Sequence, residues 1–255
     1  MKGKFVVANW KMNCNISEAK ALVSEIIESY KKLKIVNCKL KIVLCPPFTA
    51  LQSVSLIIRS SDYSFIHLGA QNCHFMPCGA YTGEISPKML KDFCDFVILG
   101  HSERRKFFGE TDELINKKIR TVLDVGLCPI VCIDEYKKGE KSEIIFNQVE
   151  KAIQDVKEKD LEKIIFAYEP IWAISTSADR QDCEPSYASK IIKEIKELLH
   201  NKTPVFYGGS VDVSNISAFV NEQMLDGFLV GGASLKPKSF IKIIETVGAK
   251  DVSKS

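Results

Sequence analysis

Short apolar runs and longer amphipathic stretches alternate along this chain from one end to the other. Phe5-Val6-Val7-Ala8-Asn9 carries no polar alternation, the pattern of a strand buried on both faces of its sheet. Ala19, Leu22, Val23, Ile26, Ile27, Tyr30 and Leu33 then recur at three- and four-residue steps, which is one face of a helix. The same unit repeats. Leu40 to Cys45, stopped by Pro46-Pro47, precedes a helix from about Thr49 to Arg59. Phe65 to Gly69 leads into a long glycine-containing loop that reaches Glu84, and a short helix starts at Ser86. Phe96 to Gly100 is followed by His101-Ser102-Glu103 and a helix with Ile115, Ile119, Val122 and Leu123 inward, ending at Gly126. Pro129 to Ile133 makes a fifth strand, with Ile145, Val149, Ala152, Ile153 and Val156 on the face of its helix. The sixth, Ile164 to Tyr168, delivers Glu169 at its end. Pro170, which has no N–H for a ladder, is expected to stop it. Its helix starts near Pro185 with Ala188, Ile191, Ile192, Ile195, Leu198 and Leu199 inward. Pro204 to Tyr207 and Gly227 to Val230 complete the strands, and a last helix is expected near Ser239 to Thr246, with residues 250–255 as a mobile tail.

Eight strand–helix units in 255 residues average about 32 residues each, the size of a βα unit. Strict alternation of strand and helix forces a mainly parallel sheet. An open doubly wound sheet could use the same units. A count of eight, with no strand of polar, edge-like character, favours a closed (β/α)8 barrel. No composition break marks a linker, so residues 1–255 read as a single barrel domain.

Composition narrows the function classes. Apolar residues make up 45% and charged residues 26%, and 35 basic side chains against 32 acidic ones leave a net charge of only +3. No basic block or aromatic-interleaved patch points to nucleic acid, and no apolar run is long enough to span a bilayer. The first residues lead directly into a strand, which leaves no room for a leader, so a cytoplasmic protein is expected. Nine scattered cysteines without a Cys-x-x-Cys pair suit reduced thiols, several of them inside apolar strands. Cys73, His74 and Cys78 form the one local group that suggests a metal, and their spacing fits no zinc pattern. No metal and no cofactor are expected.

In a barrel of parallel strands, the residues just after each strand share one rim, where active sites of this fold sit. That rim collects Asn9, Lys11, His101, Glu169, Gly208-Gly209-Ser210 and Gly231-Gly232. Taken singly, Glu169 reads as well as a solvated strand-end acid, Lys11 as a surface lysine, His101 as a locally satisfied histidine and the glycines as turn residues. Taken together, they are a carboxylate base, an imidazole at a helix start that disfavours its charged form, a cation, and strand-end glycines able to admit an anion to backbone N–H groups. This set suits abstraction of a proton beside a carbonyl on a small phosphorylated substrate.

The chain closely resembles the triosephosphate isomerase family. The resemblance is carried by Ala8-Asn9-Trp10-Lys11-Met12-Asn13, Gly69-Ala70-Gln71-Asn72, Tyr81-Thr82-Gly83-Glu84-Ile85-Ser86, Ile98-Leu99-Gly100-His101-Ser102-Glu103-Arg104-Arg105, Phe108-Gly109-Glu110-Thr111, Tyr168-Glu169-Pro170-Ile171-Trp172-Ala173-Ile174, Tyr207-Gly208-Gly209-Ser210-Val211 and Gly227 to Leu235. It implies interconversion of dihydroxyacetone phosphate and glyceraldehyde 3-phosphate through an enediolate, a step of glycolysis and gluconeogenesis. Glu169 would be the base, His101 the neutral electrophile, and Asn9 and Lys11 contacts of the substrate; the family's Glu and neutral His are standard examples of tuned catalytic groups. Residue 175 (here Ser175), Ser210, Gly231 and Gly232 would hold the phosphate. Ser102, Glu103, Glu135, Trp172 and Tyr207 would support these groups. The loop 71–84 would make a homodimer.

Two departures stand out. The family usually reads Ile-Gly-Thr-Gly-Lys where this chain has Ile174-Ser175-Thr176-Ser177-Ala178, and the segment up to Cys183 is about three residues longer. Asp134 stands where the family has Gly, just before Glu135. The chemistry is expected to be retained and the closure of the segment over the site altered. The competing expectation is a divergent barrel with weakened isomerase activity that binds a phosphorylated metabolite or a protein partner.

Overall fold

The computed structural model describes residues 4–33, 40–60, 64–174 and 181–252. Eight strands run through them: β1 (Phe5–Asn9), β2 (Lys41–Cys45), β3 (Ile66–Ala70), β4 (Phe96–Leu99), β5 (Cys128–Glu135), β6 (Ile165–Pro170), β7 (Val205–Tyr207) and β8 (Gly227–Val230). Each is parallel to its neighbours, and β8 returns to β1 from Phe5↔Gly227 to Ala8↔Val230, closing the barrel. The ladders are unequal. β5 and β6 share six residue pairs, whereas β3–β4 and β7–β8 share two each.

Alternation along each strand divides the apolar residues into two layers. Phe5, Val7, Val43, Cys45, Phe96, Ile98, Ile130, Cys132, Ile165, Ala167, Phe206 and Leu229 fill the barrel interior. Their chain neighbours, such as Val6, Ile42, Val97, Val131 and Phe166, pack outward in the larger core shared with the helices. Phe5 anchors one end of the interior, its ring centroid 5.2 Å from Phe206 and 6.2 Å from Phe96. Gly227 is what lets those rings fit. A Cβ there would lie 2.6 Å from the Phe5 carbonyl oxygen and 2.9 Å from the Phe206 ring.

The helices are α1 (Ile16–Lys31), α2 (Phe48–Arg59), α3 (Pro87–Leu90), α4 (Ser102–Phe108), α5 (Asp112–Asp124), α6 (Ser142–Ile153), α7 (Pro185–Leu198), α8 (Ile216–Val220) and α9 (Pro237–Val252). Several starts are encoded locally. Asn15 and Glu18 form a reciprocal capping box on α1, Ser86 caps α3 and Thr111 caps α5.

The sequence reading needs correction at six places. The single helix expected after β4 is two, because Gly109 adopts φ +65° and closes α4 before Thr111 opens α5. β5 runs two residues past Ile133, through Asp134 and Glu135, which are polar yet fully buried. β6 includes Pro170, whose ring occupies a final position opposite Glu135. Val156 lies beyond the end of α6, and the short α8 has no counterpart in the periodicity. The last helix begins two residues earlier than Ser239 and continues to Val252.

Candidate active site

Because all eight strands run the same way, their C-terminal ends meet on one rim, and a cavity of about 520 Å³ opens there. It brings together Asn9, Lys11, His101, Ser102, Glu169, Ser210, Gly231 and Gly232 of the residues read from the sequence. Ser175 lies outside the described residues. Glu103, Glu135, Trp172 and Tyr207 stand around the cavity and do not line it.

Glu169 follows Ile165 and Ala167 on the inward face of β6, so its side chain enters the barrel mouth and is only 1% exposed. Oε2 accepts the backbone N–H of Ser102 at 3.1 Å. Oε1 has no hydrogen-bond partner among the described residues and lies 3.5 Å from His101 Nε2. Space for this carboxylate is reserved by Gly208, where a Cβ would come within 2.9 Å of Glu169 Cγ. β6 therefore gives the acid its direction, and the glycine after β7 gives it room.

His101 occupies the cap position of α4, and its Nδ1 accepts the backbone N–H of Glu103 at 3.2 Å. A ring that accepts at Nδ1 carries its proton at Nε2 and is neutral in this arrangement. The donor thus faces Glu169 and the cavity. Lys11 stands at the end of β1 with φ +54°, a left-handed conformation costing roughly 1–2 kcal/mol for a residue with a side chain. Its N–H donates to Asn9 Oδ1 at 3.1 Å, its carbonyl accepts from Gln71 Nε2 at 2.9 Å, and its ammonium lies 2.6 Å from Glu103 Oε1. Gln71 also donates to the Cys45 carbonyl, so the start of the 71–84 loop is fastened both to the backbone of the lysine and to the end of β2.

On the outer face of the same rim, Glu135 collects four donors. They are the hydroxyls of Tyr168 (2.5 Å) and Tyr187 (2.6 Å), Trp172 Nε1 (2.7 Å) and the Gly139 N–H (3.1 Å). Burial and this carboxylate push the Tyr168 hydroxyl far up and the Tyr187 hydroxyl up to about 12, so both remain donors. Trp172 is thereby fixed at the start of the segment that the sequence identified as a cover. Tyr207 stacks on Phe219 at 4.3 Å and holds the root of the Gly208-Gly209-Ser210 turn.

Two features escaped the sequence reading. Lys236 lines the cavity mouth, and its signal was its place directly after Gly232-Ala233-Ser234-Leu235. Asp134 was visible only as a departure from the family, whereas in the fold it points into the barrel beside Glu169. Burial, and after it Glu18, hold the Cys14 thiol above its ordinary value, which opposes thiolate formation. Among the described residues no group of three His, Cys, Asp or Glu is placed to hold a metal, and no helix is long and apolar enough to cross a membrane.

Comparison with known proteins supplies an independent line. Residues 4–247 match the family model described as triosephosphate isomerase. The chain is 43% identical to the triosephosphate isomerase of Dictyoglomus thermophilum, over 96% of this chain and 100% of that protein. It is 41% identical to that of Dictyoglomus turgidum (96% and 100% covered) and 42% identical to that of Borrelia garinii subsp. bavariensis (97% and 100% covered).

Proposed function

From the premise that the chain belongs to the triosephosphate isomerase family, we infer that it interconverts dihydroxyacetone phosphate and glyceraldehyde 3-phosphate by moving one proton between adjacent carbons. Glu169 takes the proton from carbon through Oε1 and returns it to the neighbouring carbon. The observation that carries this assignment is the free, buried Oε1 facing a neutral imidazole donor at 3.5 Å. His101 Nε2–H polarises the substrate carbonyl, and Lys11 with Asn9 opposes the negative charge that builds on the enediolate oxygens. Ser210 and the backbone of Gly231 and Gly232 receive the phosphate, with the residue at position 175 and Lys236 as further contacts. Two strand-end glycine turns beside a cation support that reading.

We also read the active form as a homodimer joined through the 71–84 loop, and the whole chain as one domain. Met12 is 97% exposed beside Lys11, and Met76 and Tyr81 on the loop are exposed as well, an apolar surface next to the site that a second copy would cover. A coupled assay of triose phosphate interconversion tests the activity. Turnover is expected, and negligible turnover with retained phosphate binding would overturn it in favour of the divergent barrel.

A further inference from the structure

One buried carboxyl beside the site has no part in the roles above. Asp134 follows Ile130 and Cys132 on the inward face of β5 and stands in register with Glu169 across the β5–β6 ladder. Register partners in a parallel pair project to the same side of a sheet, so both carboxyls share one layer of the barrel. Asp134 has no solvent exposure. Neither of its carboxyl oxygens has a well-aligned hydrogen bond among the described residues, and the Tyr136 hydroxyl is the donor that faces it.

The groups around it leave that carboxyl without a counter-charge in contact. From α4, Arg105 Nε comes only to 3.9 Å, and its donors are committed to Gly100 O (2.8 Å), Asp112 Oδ1 (2.6 Å) and Cys132 O (3.2 Å). From α5, Asp112 adds a negative charge. From α6 comes uncharged Gln148, which bonds the backbone N–H and carbonyl of Asp134 at 3.0 and 2.8 Å and not its side chain. On β5 itself, burial and Glu169 keep the Cys132 thiol protonated, and beyond the strand burial and Asp134 push the Tyr136 hydroxyl up to about 12. Two carboxylates side by side in such a layer cannot both ionise cheaply.

We propose that Asp134 is a positioning residue for the base, holding a proton while Glu169 is ionised so that the buried layer carries a single negative charge. Burial first, and repulsion from Glu169 second, hold the Asp134 carboxyl well above the usual carboxylate range, with Arg105 opposing. The alkaline limb of the reaction then belongs to Asp134. Once its proton leaves, the free site carries one more negative charge against a dianionic phosphate. The charge passing from Glu169 to the substrate oxygen stays in the same pocket and brings no relief.

The inference rests on Glu169 being the base. It is tested by kcat/KM for the triose phosphate against pH in the wild type, Asp134→Asn and Asp134→Gly. Asn keeps the shape and cannot ionise; Gly serves if Asn does not fold. The wild type is expected to lose activity at alkaline pH, and the variants to move that loss upward by more than about one pH unit or to abolish it. A protonated-carboxyl infrared band is expected in the wild type at neutral pH and absent from Asp134→Asn. Identical alkaline limbs in all three proteins, no wild-type alkaline loss, or no band that Asp134→Asn removes would overturn the proposal. Failure of the base assignment is distinguishable, because Glu169→Gln would then keep its turnover, whereas failure here leaves Glu169→Gln inactive.

Discussion

Asp134 and Glu135 are consecutive residues of one strand, both without solvent exposure, and their surroundings are opposite. Glu135 faces outward and is saturated by four donors drawn from β6, the residues that follow it, α7 and the turn at Gly139. Asp134 faces inward and, among the described residues, its carboxyl oxygens make no well-aligned hydrogen bond, while Glu169 beside it leaves one oxygen open. A buried carboxylate is tolerated when its lone pairs are filled, and its unfilled counterpart stays only where the charge is shared or suppressed. The outer face of the rim therefore fixes geometry. The inner face keeps unfilled valence for chemistry.

Substitutions on the two faces are expected to separate rate from stability, and a failure to separate them would break the comparison. The largest effect is expected from Glu169→Gln, which removes the proposed base and is expected to leave the fold. Steady-state kinetics is expected to show kcat reduced by about 10³-fold or more, with little change in urea unfolding. Next comes Glu135→Gln on the outer face. The amide cannot accept from all four donors, and unfolding free energy is expected to fall by about 3 kcal/mol, read from the same urea titration. Gly208→Ala sharpens the inner side: the added Cβ displaces Glu169, and kcat/KM is expected to fall by about 10²-fold with a smaller change in stability.

The fourth effect is on the pH dependence of stability, and its sign is the most telling. The folded Asp134 carboxyl lies well above its ordinary 3.8, so folding takes up its proton. Its contribution to stability is whole below that ordinary value and is lost as pH rises toward the folded one. Asp134→Asn has no such loss. The variant and the wild type are expected to be closest in acid and to diverge above about pH 4 by up to about 1.4 kcal/mol per pH unit, with the variant ahead at neutral pH in denaturant titrations.

Much of this was legible from the chain. Buried strands announce themselves as uninterrupted apolar runs, and the rim residues follow them directly, so the eight strands and Asn9, Lys11, His101 and Glu169 could be read before any coordinates. The misreadings share a cause. Polarity along a sequence shows that a residue is polar, and says nothing about which layer it faces. Asp134 and Glu135 therefore looked like the end of a strand that in fact continues through them, and Pro170 looked like a stop where its ring fits a terminal ladder position. Gly109 was read through because the apolar periodicity of α5 is strong enough to absorb the short α4. Ser175 to Arg180, where the chain departs most from its family, lie outside the described residues.

The unequal ladders carry a consequence for how the barrel comes apart. A closed sheet cannot fray from an edge, so opening starts where the fewest backbone hydrogen bonds hold two strands, at β3–β4 or β7–β8 with two residue pairs each. Amides along those seams are expected to exchange with solvent first. The β5–β6 seam, with six pairs, is expected to exchange last, and it is the one that carries Asp134 and Glu169. Glu169, the proposed base, is therefore expected to sit in the slowest-breathing part of the molecule, and partial opening elsewhere would leave it beside the same neighbour.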